Sequence, residues 1–206
     1  MKSLVYDKIR LGVAVLLYLC ATSWADAKVK LPALISDGMV LQREQSVKVW
    51  GTADAGENIT IEFQKKSYHA TADANGQWSI TLPPLKAGGP FLMQINDIKL
   101  NDILVGDVWL CSGQSNMELP VKRVMDMFSN EILNYNNEKI RHILIPQKYN
   151  FHAPQEEISA TSWKTLTQKN VMEFSALAYF FAKEMYEKTT ERASRQTSIH
   201  IHFLFI

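Results

Sequence analysis

The residues of this chain best suited to chemistry stand together in Gly106-Asp107-Val108-Trp109-Leu110-Cys111-Ser112-Gly113-Gln114-Ser115-Asn116-Met117-Glu118. Ile103 to Leu110 is an apolar run that reads as a buried strand, and it leads into a small polar turn that a helix can follow. Open α/β sheets place their ligands at the carboxyl ends of strands, which makes Ser115 the candidate nucleophile of an acyl transfer. Gln114 and Asn116 are polar groups at the same turn. Glu118 stands at a helix start, where a carboxylate is favourable. These three are the candidate substrate contacts, and Ser112 reads as a turn or cap residue. A Gly-x-Ser-x-Gly elbow would put glycine at 117, where Met117 stands, so the α/β-hydrolase reading is disfavoured.

A serine nucleophile also needs a base to take its proton and donors where the oxyanion forms. Five histidines are available. His69 falls in a stretch read as β-strand, and His142 in the apolar run 140–145, where a packed or edge role is expected. His152 lies in a long loop that can approach the strand ends. His200 and His202 alternate on a possible last strand and read as incidental. His-x-His lacks a third ligand at suitable spacing, so a zinc site is rejected, and no cofactor is implied. Cys111 follows an apolar run and reads as a small buried hydrophobe rather than a reactive thiol.

The elements that must position this turn fall into two patterns. Residues 29 to about 100 look all-β. Val47-Lys48-Val49-Trp50 and Ile59-Thr60-Ile61-Glu62-Phe63 alternate with period two. Tyr68 to Ala72 and Trp78 to Leu82 are further strands, and Asp73-Ala74-Asn75-Gly76 between them reads as a type I′ hairpin turn. Phe91 to Ile95 follows, and the whole suggests a small β-sandwich over 28–101. Trp50, Trp78 and Trp109 are expected in the cores.

From 102 the pattern changes. Strand 103–110, a helix over about 121–135, strand 140–145, a loop over 146–170 and an amphipathic helix from Ser175 to about Lys188 make the start of a parallel α/β sheet. Ser175 is placed to cap that second helix. Residues 189–206 form a tail whose last eight residues can be a strand.

The N-terminus is set apart from the fold. Lys2, Lys8 and Arg10, the apolar Leu11 to Leu19 and Ala25-Asp26-Ala27 read as a signal peptide over 1–27, which implies a secreted or periplasmic protein with no membrane span after cleavage. A net charge of +1 gives no electrostatic case for a nucleic-acid or anionic-membrane partner. Cleavage would leave Cys111 as the one cysteine and exclude an intramolecular disulfide.

On Met39-Val40-Leu41-Gln42-Arg43, Val49-Trp50-Gly51, Gly76-Gln77-Trp78, the block Gly106 to Glu118, and Phe174-Ser175-Ala176-Leu177-Ala178-Tyr179-Phe180-Phe181-Ala182, the chain resembles the bacterial sialate O-acetylesterases, SGNH (GDSL-like) carbohydrate esterases. The likeness runs from about 31 to 188. It implies a mixed β and α/β fold, with a β-sandwich region followed by a flavodoxin-like SGNH hydrolase domain, here incomplete over 102–188. It also implies removal of O-acetyl groups from sialic acid or related sugars through Ser115, whose N–H would be one oxyanion donor. The resemblance further implies glycine and asparagine oxyanion loops and a histidine base preceded three residues earlier by aspartate. His200 is preceded at that spacing by Thr197 and His202 by Ile199. The expectation is a shortened chain, inactive or nearly so. A non-catalytic β-sandwich module that binds carbohydrate or a partner is the alternative.

Overall fold

The computed structural model describes residues 29–113, 115–146, 152, 162–193 and 201–205, with the side chains of 190–193 and 201–205 left aside. The expected signal peptide, Gln114, His200 and residues 147–151 and 153–161 of the expected 146–170 loop lie outside the described residues.

Alternation dictates the first half. β1 (Val40–Gln42), β2 (Val47–Thr52), β3 (Asn58–Phe63), β4 (Lys66–Thr71), β5 (Gln77–Leu82) and β6 (Gly88–Ile95) lead into β7 (Ile98–Cys111), a strand of 14 residues. β2 and β5 pair antiparallel as a separate two-stranded sheet. The other sheet runs β4-β3-β6-β7, with β1 parallel to β7. The inward residues of both sheets meet in one core, Val49, Trp78, Ile80 and Leu82 from one side and Ile59, Ile61, Phe63, Met93, Ile95, Ile103 and Val105 from the other. Gly51 faces Trp78 across the small sheet. A Cβ there would stand 2.3 Å from the Lys30 carbonyl oxygen and 2.9 Å from the Trp78 ring, so only glycine fits.

Two turns differ from expectation. Residues 73–77 do not close a hairpin, because β4 pairs with β3 and β5 with β2. The segment crosses between the sheets. Gly76 N–H donates to the Asp73 carbonyl at 2.9 Å, and Gly76, not Asn75, takes the positive φ of 75°. Asp73 Oδ1 accepts from the N–H groups of Asn75 and Gln77, both at 2.8 Å, which fixes a different turn from the one Asn-Gly suggests. The two-residue hairpin loop with both φ positive is Gln64-Lys65, at 49° and 63°.

In the second half β7 continues without a break past the boundary expected at 101/102. Its last five residues pair in parallel with β10 (Ile201–Phe205), which pairs in parallel with β8 (Asn137–Leu144). The last residues thus supply a strand between the two expected ones. β9 (Lys164–Leu166), too short to show periodicity, lies in the expected loop and pairs antiparallel with β8. Among the described residues the α-helices are α1 (Ser115–Glu118), α2 (Met125–Leu133) and α3 (Ala176–Ala193).

The single helix expected over 121–135 is broken. Val121–Arg123 is a 3-10 turn, Val124 leaves helical geometry, and Phe128 kinks α2 at φ −132°, ψ 29°. Neither helical piece has a side-chain N-cap, and β-branched Val121 and Val124 are weak helix formers. Residues 120–121 are instead drawn into pairing with 174–175, where Val121 N–H donates to the Phe174 carbonyl at 2.8 Å. A second core gathers Val121, Ile132, Ile140, Leu166, Val171, Phe174, Ala178, Tyr179 and Ala182. The described chain is thus a mixed, sheet-rich fold with few helices.

Candidate active site

The turn that carries Ser115 is held from two sides. On one side the Met39–Arg43 segment extends the pairing of β1 with β7. Arg43 N–H donates to the Gly106 carbonyl at 2.8 Å, and Val108 N–H donates to Gln42 Oε1 at 2.8 Å. Arg43 Nε donates to Asp107 Oδ1 at 2.8 Å, both side chains about three-quarters buried. A glutamine amide here replaces the next main-chain acceptor, so β7 remains supported where β1 has ended. On the other side the start of α3 grips the far end of α1. Ala176 N–H donates to the Leu119 carbonyl at 2.7 Å, and Ser175 Oγ–H donates to Met117 Sδ at 3.7 Å. Ser175 also caps α3 as expected, accepting from Ala178 N–H at 3.4 Å.

Between these supports Ser115 opens α1 and is exposed, as are Ser112, Asn116 and Glu118, while Met117 is turned toward the second core. The structure therefore brings Ser115, Asn116 and Glu118 onto one short helical turn just beyond the carboxyl end of β7. The fourth expected site residue, Gln114, lies outside the described residues.

The described histidines differ sharply. His69 sits on β4, three strands from β7 or about 14 Å across the sheet, and its Nδ1 is 3.1 Å from Thr60 Oγ1. His142 on β8 is buried and stacked on Phe174, with ring centroids 3.6 Å apart and planes within 6°. Burial above all, helped by nearby Lys164, pushes its pKa down to about 3. It is a neutral packed ring with little basicity, in line with the expected packing role. His152 is exposed. His202 lies in β10. Cys111 is half-buried against the second core, and burial raises its thiol pKa, which disfavours the nucleophilic thiolate.

Several supports escaped the sequence reading. Arg141, in the apolar run 140–145, is 3% exposed. Its Nη1 donates to the carbonyls of Gly38 and Asp102, and its Nη2 to Asp102 Oδ1 at 2.7 Å. A charge inside an apolar strand was the available signal, since such a group must find partners. Trp50 and Trp109, expected in the cores, are each 39% exposed, whereas Trp78 is buried. Trp109 packs edge-on against Phe181 of α3.

Comparison with known proteins finds this chain similar to acetylesterases. No family model matches the chain. A solved carbohydrate acetylesterase from Xanthomonas citri superposes with a TM-score of 0.77 at 35% identity, over 86% of this chain and 40% of that one. The sialate O-acetylesterase of Homo sapiens is 28% identical over 86% of this chain and 38% of its own length. That of Mus musculus is 27% identical over 85% and 36%. The resemblance to the sialate O-acetylesterases read from the sequence is thereby shown. The chain spans about two fifths of the length of these relatives.

Proposed function

We propose that this chain carries the nucleophile-bearing part of a hydrolase that removes O-acetyl groups from carbohydrates, sialic acid among them, with Ser115 as the attacking residue. One observation carries the reading: Ser115 is exposed at the head of a helical turn just beyond a parallel strand's carboxyl end, in a chain 35% identical to a carbohydrate acetylesterase. In that reading Ser115 Oγ adds to the acetyl carbonyl as its proton passes to a base. The sugar hydroxyl leaves with a proton, and water then releases acetate from the acetyl-serine. The Ser115 N–H, at the first position of α1 and free of intrahelical duty, is one oxyanion donor. Gln114, Asn116 and Glu118 flank the nucleophile as sugar contacts. The reaction calls on no cofactor.

Under the same proposal residues 28–101 are a β-sandwich region, 102–188 the beginning of a flavodoxin-like SGNH domain, and 189–206 a tail outside the family likeness. Residues 1–27 act as a signal peptide for a secreted or periplasmic protein. Among the described residues no helix is long and apolar enough to cross a membrane. The chain contains no Asp-x-x-His sequence. Loss of a base or of one oxyanion donor typically costs about 3 kcal/mol or more of transition-state stabilisation, so these 206 residues by themselves are expected to turn over at trace rates.

The test therefore reads the acyl-enzyme rather than turnover. The 206-residue chain is incubated with an aryl acetate and imidazole as external base, and acetyl groups are located by mass spectrometry. Acetylation concentrated on Ser115, and absent at that peptide in Ser115→Ala, supports the reading. Acetylation of Ser112 and other exposed serines at rates equal to Ser115 sinks it.

A further inference from the structure

The outer face of the small β2–β5 sheet has a composition that core packing does not explain. Lys48, Trp50 and Thr52 on β2 and Gln77, Ser79 and Thr81 on β5 alternate outward and are exposed, while Val49, Gly51, Trp78, Ile80 and Leu82 point into the core. Register places Trp50 opposite Ser79, Lys48 opposite Thr81 and Thr52 opposite Gln77. Lys30 bridges antiparallel to Thr52, which puts a second exposed lysine on the same face. Residues opposite one another on such a face are about 5 Å apart, and i, i+2 neighbours about 7 Å. Trp50 is thus a half-open indole with a lysine on either side and short hydroxyl and amide side chains across from it.

Neither strand carries an aspartate or glutamate. Among the described residues the ion pairs do not include Lys30 or Lys48. Gly51 matters here as well. Without a Cβ on the inner side, the Trp78 ring and the Lys30 carbonyl close up beneath it, so Lys30, β2 and β5 lie side by side as one platform.

We infer that this platform, formed by Trp50 with Lys30, Lys48, Ser79 and Thr81, binds an anionic sugar residue, a carboxylate-bearing pyranose of the sialic acid class, at a site separate from Ser115. The indole offers a flat apolar surface to the C–H face of a sugar ring, with its N–H left as a donor. The hydroxyls and the Gln77 amide suit the ring's own hydroxyls. The two ammonium groups, with no carboxylate on the strands between them, select a negative charge and make binding weaken as salt is added. The inference takes its ligand class from the proposed function but uses neither the nucleophile nor its turn.

The experiment titrates the 206-residue chain with the methyl α-glycoside of N-acetylneuraminic acid, using methyl galactoside as the neutral control, and follows the amide and indole N–H resonances. The expected result is a saturable shift of the Trp50 indole and of the Ser79 and Thr81 amides, several-fold weaker for the neutral sugar. It should be equal in the parent and in Ser115→Ala. Trp50→Ala should weaken binding about tenfold or more, and Lys30→Glu with Lys48→Glu by about as much, one decade in Kd being about 1.4 kcal/mol. Trp50→Phe, which keeps an aromatic face, should stay within about threefold of the parent. All these side chains are exposed, so a thermal melt unchanged from the parent is the required control. Shifts confined to residues near Ser115, equal response to both sugars, or undiminished binding by Trp50→Ala overturns the inference. Failure here leaves acetylation of Ser115 untouched, and failure of that acetylation leaves this titration readable.

Discussion

At the scale of single residues, two buried groups in β8 behave as opposites. Arg141 is a charge kept in the interior because three oxygens surround its guanidinium, two of them on Asp102, which itself takes a positive φ of 60°. Removing the guanidinium strands those acceptors, so Arg141→Met is expected to cost about 3 kcal/mol in urea unfolding, within the range for breaking a buried pair. Asp102→Asn keeps an acceptor and suits the left-handed backbone, and should cost about 1 kcal/mol or less. His142 is a titratable group kept neutral. Its pKa of about 3 in the fold lies below the value of 6.5 for an exposed histidine. Between those values the unfolded chain binds the proton and the folded chain does not. Stability therefore falls with acidification, starting near pH 6.5, by up to about 1.4 kcal/mol per pH unit. His142→Phe, which retains a ring against Phe174, should flatten the stability profile between about pH 6 and 4. A profile as steep as the parent's would show that His142 is not the titrating group.

At the scale of elements, turns and braces decide the outcome more than strand propensity does. The β3–β4 hairpin closes on Gln64-Lys65, two side-chain-bearing residues in the left-handed region, each at a cost of about 1 kcal/mol relative to glycine or asparagine. Replacing the pair by Asn-Gly should stabilise the fold by about 1 kcal/mol and raise Tm by several degrees, read in a thermal melt. That turn was not legible beforehand, because Gln-Lys carries none of the residues that usually mark a type I′ loop. Asp73 to Gly76 does carry them, and it crosses between sheets. The strands were legible: at β2, β3 and β5 the outward and inward positions follow the sequence alternation nearly residue for residue. The place of Ser115 was legible too, since an apolar strand ending in a polar turn is a local pattern. What holds the turn was not. Gln42 with Val108, and Arg43 with Asp107, lie more than 60 residues apart, and nothing local announces a side chain taking over from a strand that has ended. Helix α2 failed as a single helix for the same reason, because its first residues are pulled into pairing with 174–175.

At the scale of the whole molecule, the two cores are tied by one strand and two side chains. β7 gives Ile103 and Val105 to the first core and lays Cys111 against the second. Arg141 reaches back from β8 to Gly38 and Asp102, and Trp163 packs on the first core while its Nε1 donates to the Leu34 carbonyl at 3.0 Å. Loosening the second core therefore has a price in the first. When β8 leaves, the carbonyls of Gly38 and Asp102 lose their donor, and β10, the neighbour of β7 over its last five residues, loses its partner on the other side. Ile132→Ala, a cavity wholly within the second core, should cost about 2–5 kcal/mol. Because of the shared strand, that loss should appear at amides of β3 and β5 as well as at those of β8 in hydrogen exchange, with one urea transition by all probes. If β3 and β5 kept their protection while β8 exchanged freely, the cores would be separable units and β7 merely a connector. The continuous pairing of β7 with β6, β1 and β10 argues for the first outcome, because no stretch of it is left unpaired long enough to act as a hinge.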